Sequence, residues 1–407
     1  MSLGKRIMDW SAQAARHSEP GPGVTRLLGS PEHKALLADL DGWMQQAGLS
    51  TELDGAGNLV GRTRHQPGLK TLIIGSHQDT VRQGGAFDGM LGILLPLAVL
   101  QQLHEQAVTL PVNVELIAFS DEEGARFSST LVGSSALAGT FNPDILKATD
   151  RDGVTLESAL RGLGANPDQI PALKRDPSKL AGFLEIHIEQ GPVLESLDLP
   201  VGVVSAITGI ERHKVHITGK AGHAGTTPMH LRQDALLAAT EVVRAVNDLC
   251  QNTEELVGVV GELNVTPNAV NVIPSAVELT IELRSPVTRI RETARQQLLA
   301  QLNERIAGHA CQWTHERVYE QQEVDCSPAI QQQLANAIAT CGWQPHTLFS
   351  GAGHDGLAMA KATPIGMLFV RCTGGLSHHP EEAIIEADAD AAAEVIKLAI
   401  LNWEAPV

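Results

Sequence analysis

The sequence predicts an α/β fold, with a first domain on a mainly parallel central sheet and a smaller inserted α+β domain. Three observations lead there. Short apolar runs alternate with helix-like segments through the first half, the pattern of a largely parallel sheet. From about Gly209 to Val324 the pattern changes to period-two alternation, as in a sheet with one wet face. The chain also has 407 residues, more than the roughly 250–300 that one core usually serves.

The elements follow in order. Leu72-Ile73-Ile74 lies between Gly68 and Gly75 and reads as a strand. Gly92 to His104 is an apolar helix. Val112–Phe119, Phe183–Ile188 and Ile365–Val370 are three further strands. Within the insert, Lys214–Thr218 alternates and leads into a loop of Gly and His. Asp234–Cys250 has helical periodicity. Val277, Leu279, Ile281 and Leu283 alternate with Glu278, Thr280, Glu282 and Arg284, and Arg289–Ile306 is an amphipathic helix. The expected domains are 1–208 with 325–407, and 209–324 as an inserted lid.

Composition narrows the function. Hydrophobic residues make up 43% and charged residues 19%, so the chain can bury a large core. Aromatics are only 3%, so that core must rest on Leu, Val, Ile and Ala. A formal net charge of −17 repels nucleic acid and anionic membrane surfaces. An anionic substrate would therefore need local cations. Five cysteines with no CxxC pair read as free thiols in a reducing cytoplasm. Met1–Ser11 lacks the apolar stretch of a signal peptide, and no run approaches the ~20 apolar residues of a membrane span.

Four predicted strands end in metal-ligand chemistry. The first runs into His77-Gln78-Asp79, with Asp88-Gly89 on the following loop. The second ends in Asp121-Glu122-Glu123, and the third carries His187-Ile188-Glu189-Gln190. The fourth is followed by Ser377-His378-His379-Pro380. Taken singly, each has a plainer reading: a surface histidine, a solvated acidic loop, a turn. Their conjunction points to a metal site, because open α/β sheets gather ligands beyond the carboxyl ends of strands. Histidine with Asp and Glu suits Zn²⁺ or Mn²⁺.

These stretches resemble the M20 metallopeptidase superfamily. Within it they are similar to the amidase branch of allantoate amidohydrolases, N-carbamoyl-L-amino-acid hydrolases and β-ureidopropionases. The matching motifs are GSHQDTVRQGGAFDGMLG, FSDEEGARF, EIHIEQGPVLE, GHAGTTPM, NVIP, SGAGHDG and GLSHHPEE, in order from residue 75 to 382. The resemblance implies two divalent ions per subunit, Zn²⁺ or Mn²⁺. His77, Asp88 and His187 would hold one, and Asp88, Glu123 and His378 the other, with Asp88 bridging. The Ser-His-x-Pro pattern with Glu382 four residues on selects His378 over His379. Glu122 would shuttle the proton, and Asp79 would orient the His77 imidazole.

On the substrate side, the resemblance implies that His223 polarises the scissile carbonyl. Asn271 and Arg284 would hold the substrate carboxylate, for which a planar guanidinium suits two parallel hydrogen bonds. A surface salt bridge from Arg284 to Glu278 or Glu282 is the competing reading. Gly353 and His354 belong to a further substrate loop, and Gln190 and Arg212 would line the pocket. The implied partner is a small anionic ureido acid, with allantoate first and an N-carbamoyl-L-amino acid second. A peptidase and a non-catalytic ureide-binding protein are the rivals. A cytoplasmic homodimer paired through the lid is expected, with no nucleic-acid or membrane partner.

Overall fold

A computed structural model describes residues 2–406 of the chain. The described residues form two compact units. One runs to Ser205 and resumes at Asp325, and the other is Ala206–Val324.

The first unit is built on a nine-stranded sheet. At its centre Asn113–Phe119, Thr71–His77, Leu180–Ile188 and Ile365–Val370 lie side by side and parallel. These are the four apolar runs read from the sequence. Leu180–Ile188 and Ile365–Val370 are buried at every position, which is why they read as continuous apolar runs rather than alternating ones. The third strand begins at Leu180, three residues before the expected start. There Gly182 adopts φ +135° at a register shift against Thr71–Leu72, an irregularity that hydrophobicity does not announce. The register sets His77 opposite Phe119 and His187 opposite Phe369, so the carboxyl ends of the four strands are level.

Helix Leu91–Glu105 lies directly on this sheet. A Cβ on Gly92 would fall 2.2 Å from the Ile186 carbonyl oxygen, so the close approach requires glycine. Helices Leu3–Ala14 and Glu386–Leu401 pack against Leu91–Glu105 and against each other. Trp10 stacks on Trp43 of helix Pro31–Gln46 at 5.3 Å.

The second unit has a four-stranded antiparallel sheet in the order Gln312–Gln321, Gly209–Thr218, Ala276–Ser285, Val257–Thr266. Val215, Ile217, Val277, Leu279, Ile281 and Leu283 are buried together with residues of helices Ala235–Gln251 and Thr288–Ala307. Glu278, Thr280, Glu282 and Arg284 alternate with them on the wetter face. Arg291 is wholly buried in this unit. Its Nε donates to Glu211 Oε1 at 3.2 Å and its Nη1 to Glu323 Oε2 at 3.2 Å. Arg295 adds a donor to Glu211 Oε2 at 2.9 Å. Among the described residues no helix is long and apolar enough to cross a membrane.

Candidate metal centre

Imidazoles and carboxylates converge at the level strand ends of the first unit. His77 closes its strand, and Asp88 sits on the loop before helix Leu91–Glu105. Asp88 Oδ1 lies 3.3 Å from His77 Nε2 and 3.1 Å from His187 Nε2. Its other oxygen, Oδ2, lies 3.3 Å from His378 Nε2, which is 3.5 Å from Glu123 Oε1. One carboxylate thus faces two groups of ligands, one through each oxygen. Glu122 joins His77 and Glu123 in a third cluster.

The loops are pinned by hydrogen bonds to the backbone. Glu382 Oε1 accepts from the peptide N–H of Phe87 at 2.9 Å and of Asp88 at 3.0 Å. The Ser377 hydroxyl sits between Asp88 Oδ2 at 2.9 Å and Glu382 Oε2 at 3.0 Å. Gly89 adopts φ +68°, and a Cβ there would fall 2.4 Å from Cε1 of His77. Only glycine satisfies both the left-handed backbone and the contact with the ring.

The tautomers decide whether a cation fits. His77 Nδ1 donates to the Asp79 carbonyl at 3.0 Å, and His187 Nδ1 to the Ile188 carbonyl at 2.9 Å. A carbonyl only accepts, so each Nδ1 carries a proton, and in the neutral ring Nε2 then keeps its lone pair. Both Nε2 lone pairs then point at the Asp88 carboxylate. Lone pairs and an anion at 3.1–3.3 Å need a positive charge among them. Protons give one answer in the bare chain. Burial disfavours a charged ring, yet the hydrogen bond to Asp88 raises the pKa of His77 well above its ordinary value, and His187 is raised too. His378 is raised by its own hydrogen bond to Asp88. Burial opposes ionisation of Asp88, but hydrogen bonds from His187, His378 and His77 hold its carboxyl well below the usual range. A divalent ion supplies the same charge, and the N/O donor set suits a borderline metal.

Glu122 and Glu123 are pushed up instead, Glu122 well above its ordinary value. Burial is the first cause for each; Glu123 adds repulsion at Glu122, and Asp88 adds it at Glu123. The site therefore concentrates negative charge in a place that disfavours it, as a cation-binding centre must.

The structure distributes the remaining sequence candidates as follows. Asp79 touches His77 through its backbone carbonyl, while its carboxylate stands 3.9 Å from His77 Nδ1. That carboxylate accepts instead from the peptide N–H of Glu122 at 3.0 Å and of Glu123 at 3.2 Å. Gln190, at φ +57°, donates its Nε2 to Asp88 Oδ2 at 2.9 Å, and its buried Oε1 has no hydrogen-bond partner. His354 is buried under His187, with ring centroids 4.5 Å apart and Nε2 2.7 Å from Ser350 Oγ. Burial and the neighbouring His187 hold its pKa well below the ordinary value. Gly353 next to it is half-buried. His379 lies outside the cluster and accepts from the Glu381 N–H.

His223, Asn271, Arg212 and Arg284 belong to the second unit. The Gly222–His223 strand pairs with Val272–Ile273, and the Ala224 N–H donates to the Asn271 carbonyl at 2.9 Å, so His223 and Asn271 lie on one two-stranded antiparallel ladder. Arg212 and Arg284 both bind Glu282, Arg284 Nε at 2.7 Å from Oε1. Arg212 also lies over the Tyr319 ring at 5.0 Å. Sequence reasoning passed over Ser377 and Glu185. Glu185 is wholly buried, accepting from Ser76 Oγ at 2.9 Å and the Gly356 N–H at 3.0 Å. A lone carboxylate inside the run LAGFLEIHI was the available signal.

Comparison with known proteins places this arrangement. The profile of peptidase family M20/M25/M40 matches residues 73–402, which include every residue of the three clusters. The chain belongs to that family. This M20 chain is 39% identical over 379 residues to an N-carbamoyl-L-amino acid amidohydrolase from Geobacillus stearothermophilus, covering 93% of each. It is 37% identical to an allantoate deiminase from Arabidopsis thaliana, covering 95% of this chain and 79% of that one. A crystal structure of a hydantoinase/carbamoylase family amidase from Burkholderia multivorans superposes with a TM-score of 0.93 at 31% identity. That match covers 99% of this chain and 98% of the other.

The geometry around Gly89 yields a direct test. Gly89→Ala should leave the fold intact by circular dichroism but displace the His77 ring, lowering divalent-metal affinity at least tenfold by chelator competition. Wild-type affinity in the folded variant would show that the ring has room to move.

Proposed function

We propose that the chain is a metal-dependent amidohydrolase cleaving a C–N bond in a small ureido acid, with allantoate as the first substrate. The observation that carries this reading is the shared Asp88, facing ligands on both sides, with the extra carboxylate Glu122 beside Glu123. Binding alone gives no use to an additional carboxylate; hydrolysis does. The names of the relatives support C–N hydrolysis of amides. The reaction is allantoate plus water giving ureidoglycine, ammonia and carbon dioxide. A second reading, N-carbamoyl-L-amino acid hydrolysis, is favoured by the relative at 39% identity.

His77, Asp88 and His187 would hold one divalent ion and Asp88, Glu123 and His378 the other, Zn²⁺ or Mn²⁺. When bound, such ions polarise a carbonyl and lower the pKa of water from 15.7 towards ~7. Glu122 takes the proton of the attacking water and returns it to the leaving nitrogen. His223 donates to the carbonyl oxygen as negative charge develops there. Arg284 and Asn271 hold the substrate carboxylate, and Arg212 adds positive charge beside them. The unpartnered Oε1 of Gln190 accepts a ureido N–H. Gly353 offers its backbone N–H, and His354 lies behind His187 at the ureido end. All five cysteines are free, in keeping with a cytoplasmic setting.

We also propose a homodimer through the second unit. Strand Val257–Thr266 is an edge of its sheet, and it exposes Val257, Val259 and Leu263. A long apolar edge strand left unpaired is an association site.

Three measurements follow. Chelation should abolish turnover and added Mn²⁺ or Zn²⁺ restore it. With metals restored, Glu122→Gln should retain both ions yet lose roughly 10²–10⁴-fold in rate, whereas Glu123→Gln should lose occupancy at one site. Emptying of a site by Glu122→Gln alone would reverse the two roles.

A substrate panel with ammonia detection separates the readings. Arg284→Ala should lower kcat/KM on the acid by about 30-fold to several thousandfold, from ~2–5 kcal/mol at 1.4 kcal/mol per tenfold. It should change little on the neutral amide analogue. Equal losses on both would make the Glu282 salt bridge the residue's role. Finally, wild type should sediment as a dimer and Val259→Lys with Leu263→Lys as a monomer. A monomeric wild type would overturn the dimer.

A further inference from the structure

Arg26 lies in the N-terminal segment, outside every motif assigned above, and only 2% of it is exposed. Its Nε donates to the Gln78 carbonyl at 2.8 Å. Its Nη1 donates to the carbonyls of Ala14 at 3.1 Å and His17 at 3.2 Å. Its backbone is engaged as well. The Arg26 N–H donates to Thr80 Oγ1 at 2.9 Å, and the Thr80 N–H donates to the Arg26 carbonyl at 3.1 Å. Arg26 therefore brackets Asp79, the side chain holding the residue before it and the backbone the residue after.

Asp79 is the pivot of the site. Its carbonyl receives His77 Nδ1, and its carboxylate receives the peptide N–H groups of Glu122 and Glu123. A buried guanidinium is costly unless its donors and its charge are met. Here three carbonyls meet donors, and the Asp79 carboxylate is the opposing charge. Burial draws the Arg26 pKa down to about 10, and Asp79 acts against that fall.

We propose that Arg26 is a positioning residue for the reaction. By fixing the Gln78–Thr80 turn through three hydrogen bonds, two to its backbone and one to the Thr80 hydroxyl, it sets where the Asp79 carboxylate holds the peptides of Glu122 and Glu123. Placement matters at both glutamates, since misplacing a reacting group by 1 Å can cost about 10²-fold. The kinetic arm of the test rests on the reading of Glu122 as proton shuttle; the metal arm does not.

The rival role is a structural anchor, because Ala14 ends helix Leu3–Ala14 and Arg26 ties that end down. Arg26→Met and Arg26→Lys separate the two. The control is Thr25→Val, which loosens the same segment by removing the acceptor of the Gln83 N–H and leaves the turn alone. All variants are loaded with Co²⁺. The readouts are the visible absorption of the bound ion, its affinity by chelator competition, thermal unfolding, and kcat and KM on the best ureido acid of the panel.

The proposal expects a changed Co²⁺ spectrum in Arg26→Met and a kcat lower by about 10–100-fold with KM within threefold. Arg26→Lys should keep the charge, lose the fork and fall in between. Adding Asp79→Asn to Arg26→Met should cost little more than the worse single change, because the two act in series. Thr25→Val should match wild type in spectrum and kcat at a lowered melting temperature. The idea is overturned if folded Arg26→Met and Arg26→Lys show the wild-type spectrum and metal affinity, or if their losses multiply with Asp79→Asn. Should Arg26→Met fail to fold, Arg26→Lys decides by the same criteria. Should wild type turn over no ureide at all, the spectrum and affinity still test the positioning role while the proposed substrate class fails.

Discussion

Mutual repulsion among buried carboxylates is the constraint around which the first unit is organised. Asp88, Glu122, Glu123, Asp79, Glu185 and Glu382 all sit near the carboxyl ends of four parallel strands, largely out of water. Unpaired, such a set would be strongly disfavoured. The chain answers by giving several of these acids the peptide N–H groups of a loop. Glu382 takes Phe87 and Asp88, Asp79 takes Glu122 and Glu123, and Glu185 takes Gly356. Glu189 takes Val193 and Leu194 in the same way. Each anion that raises the electrostatic cost also immobilises a segment bearing another functional group. Charge and rigidity are thus linked, and a cation that relieves the repulsion meets ligands already held in place.

The four central strands were legible because burial on both faces leaves continuous apolar runs, and Ile365–Val370 was read to the residue. Helix Leu91–Glu105 was legible to within one residue at each end for the same reason. The strand order was not, since Ile365–Val370 reaches its partner Leu180–Ile188 across the whole inserted unit. Asp79 shows a subtler limit. Standing two residues after His77, it invites a reading as that ring's partner. Yet His77 pairs with Phe119 where both strands end, so the loops that follow lie side by side and the Asp79 carboxylate meets the peptides of Glu122 and Glu123. Lateral register decides this contact, and one strand's sequence does not contain it. Arg26 was invisible for the same reason, being a solitary arginine whose acceptors are the carbonyls of Ala14, His17 and, 52 residues on, Gln78. By contrast the family's Ser-His-x-Pro pattern, carried over by resemblance, pointed to His378 rather than His379, and His378 stands beside Asp88 and Glu123.

The second unit solves a different electrostatic problem. Glu282 is directly opposite Arg212 in the strand pairing and two residues from Arg284 on the same face. Period-two alternation made the Glu282–Arg284 pairing foreseeable, while the Arg212 contact needed the strand register. One carboxylate orients both guanidinium groups on the wet face. Fixed orientation reduces the side-chain entropy that binding an acid would otherwise cost.

Arg291 has a meaning beyond stability. It joins Glu211, near the start of the second unit, to Glu323, near its end, while Ile210 and Gln321 are already strand partners. The unit therefore closes on itself. On the other side of the junction, the Cys326 N–H donates to the Ser205 carbonyl at 2.9 Å, so the host's two ends are also bonded neighbours. A segment whose two ends are adjacent, set between host ends that are adjacent too, is an arrangement from which a domain insertion can be made or removed as one continuous stretch of sequence.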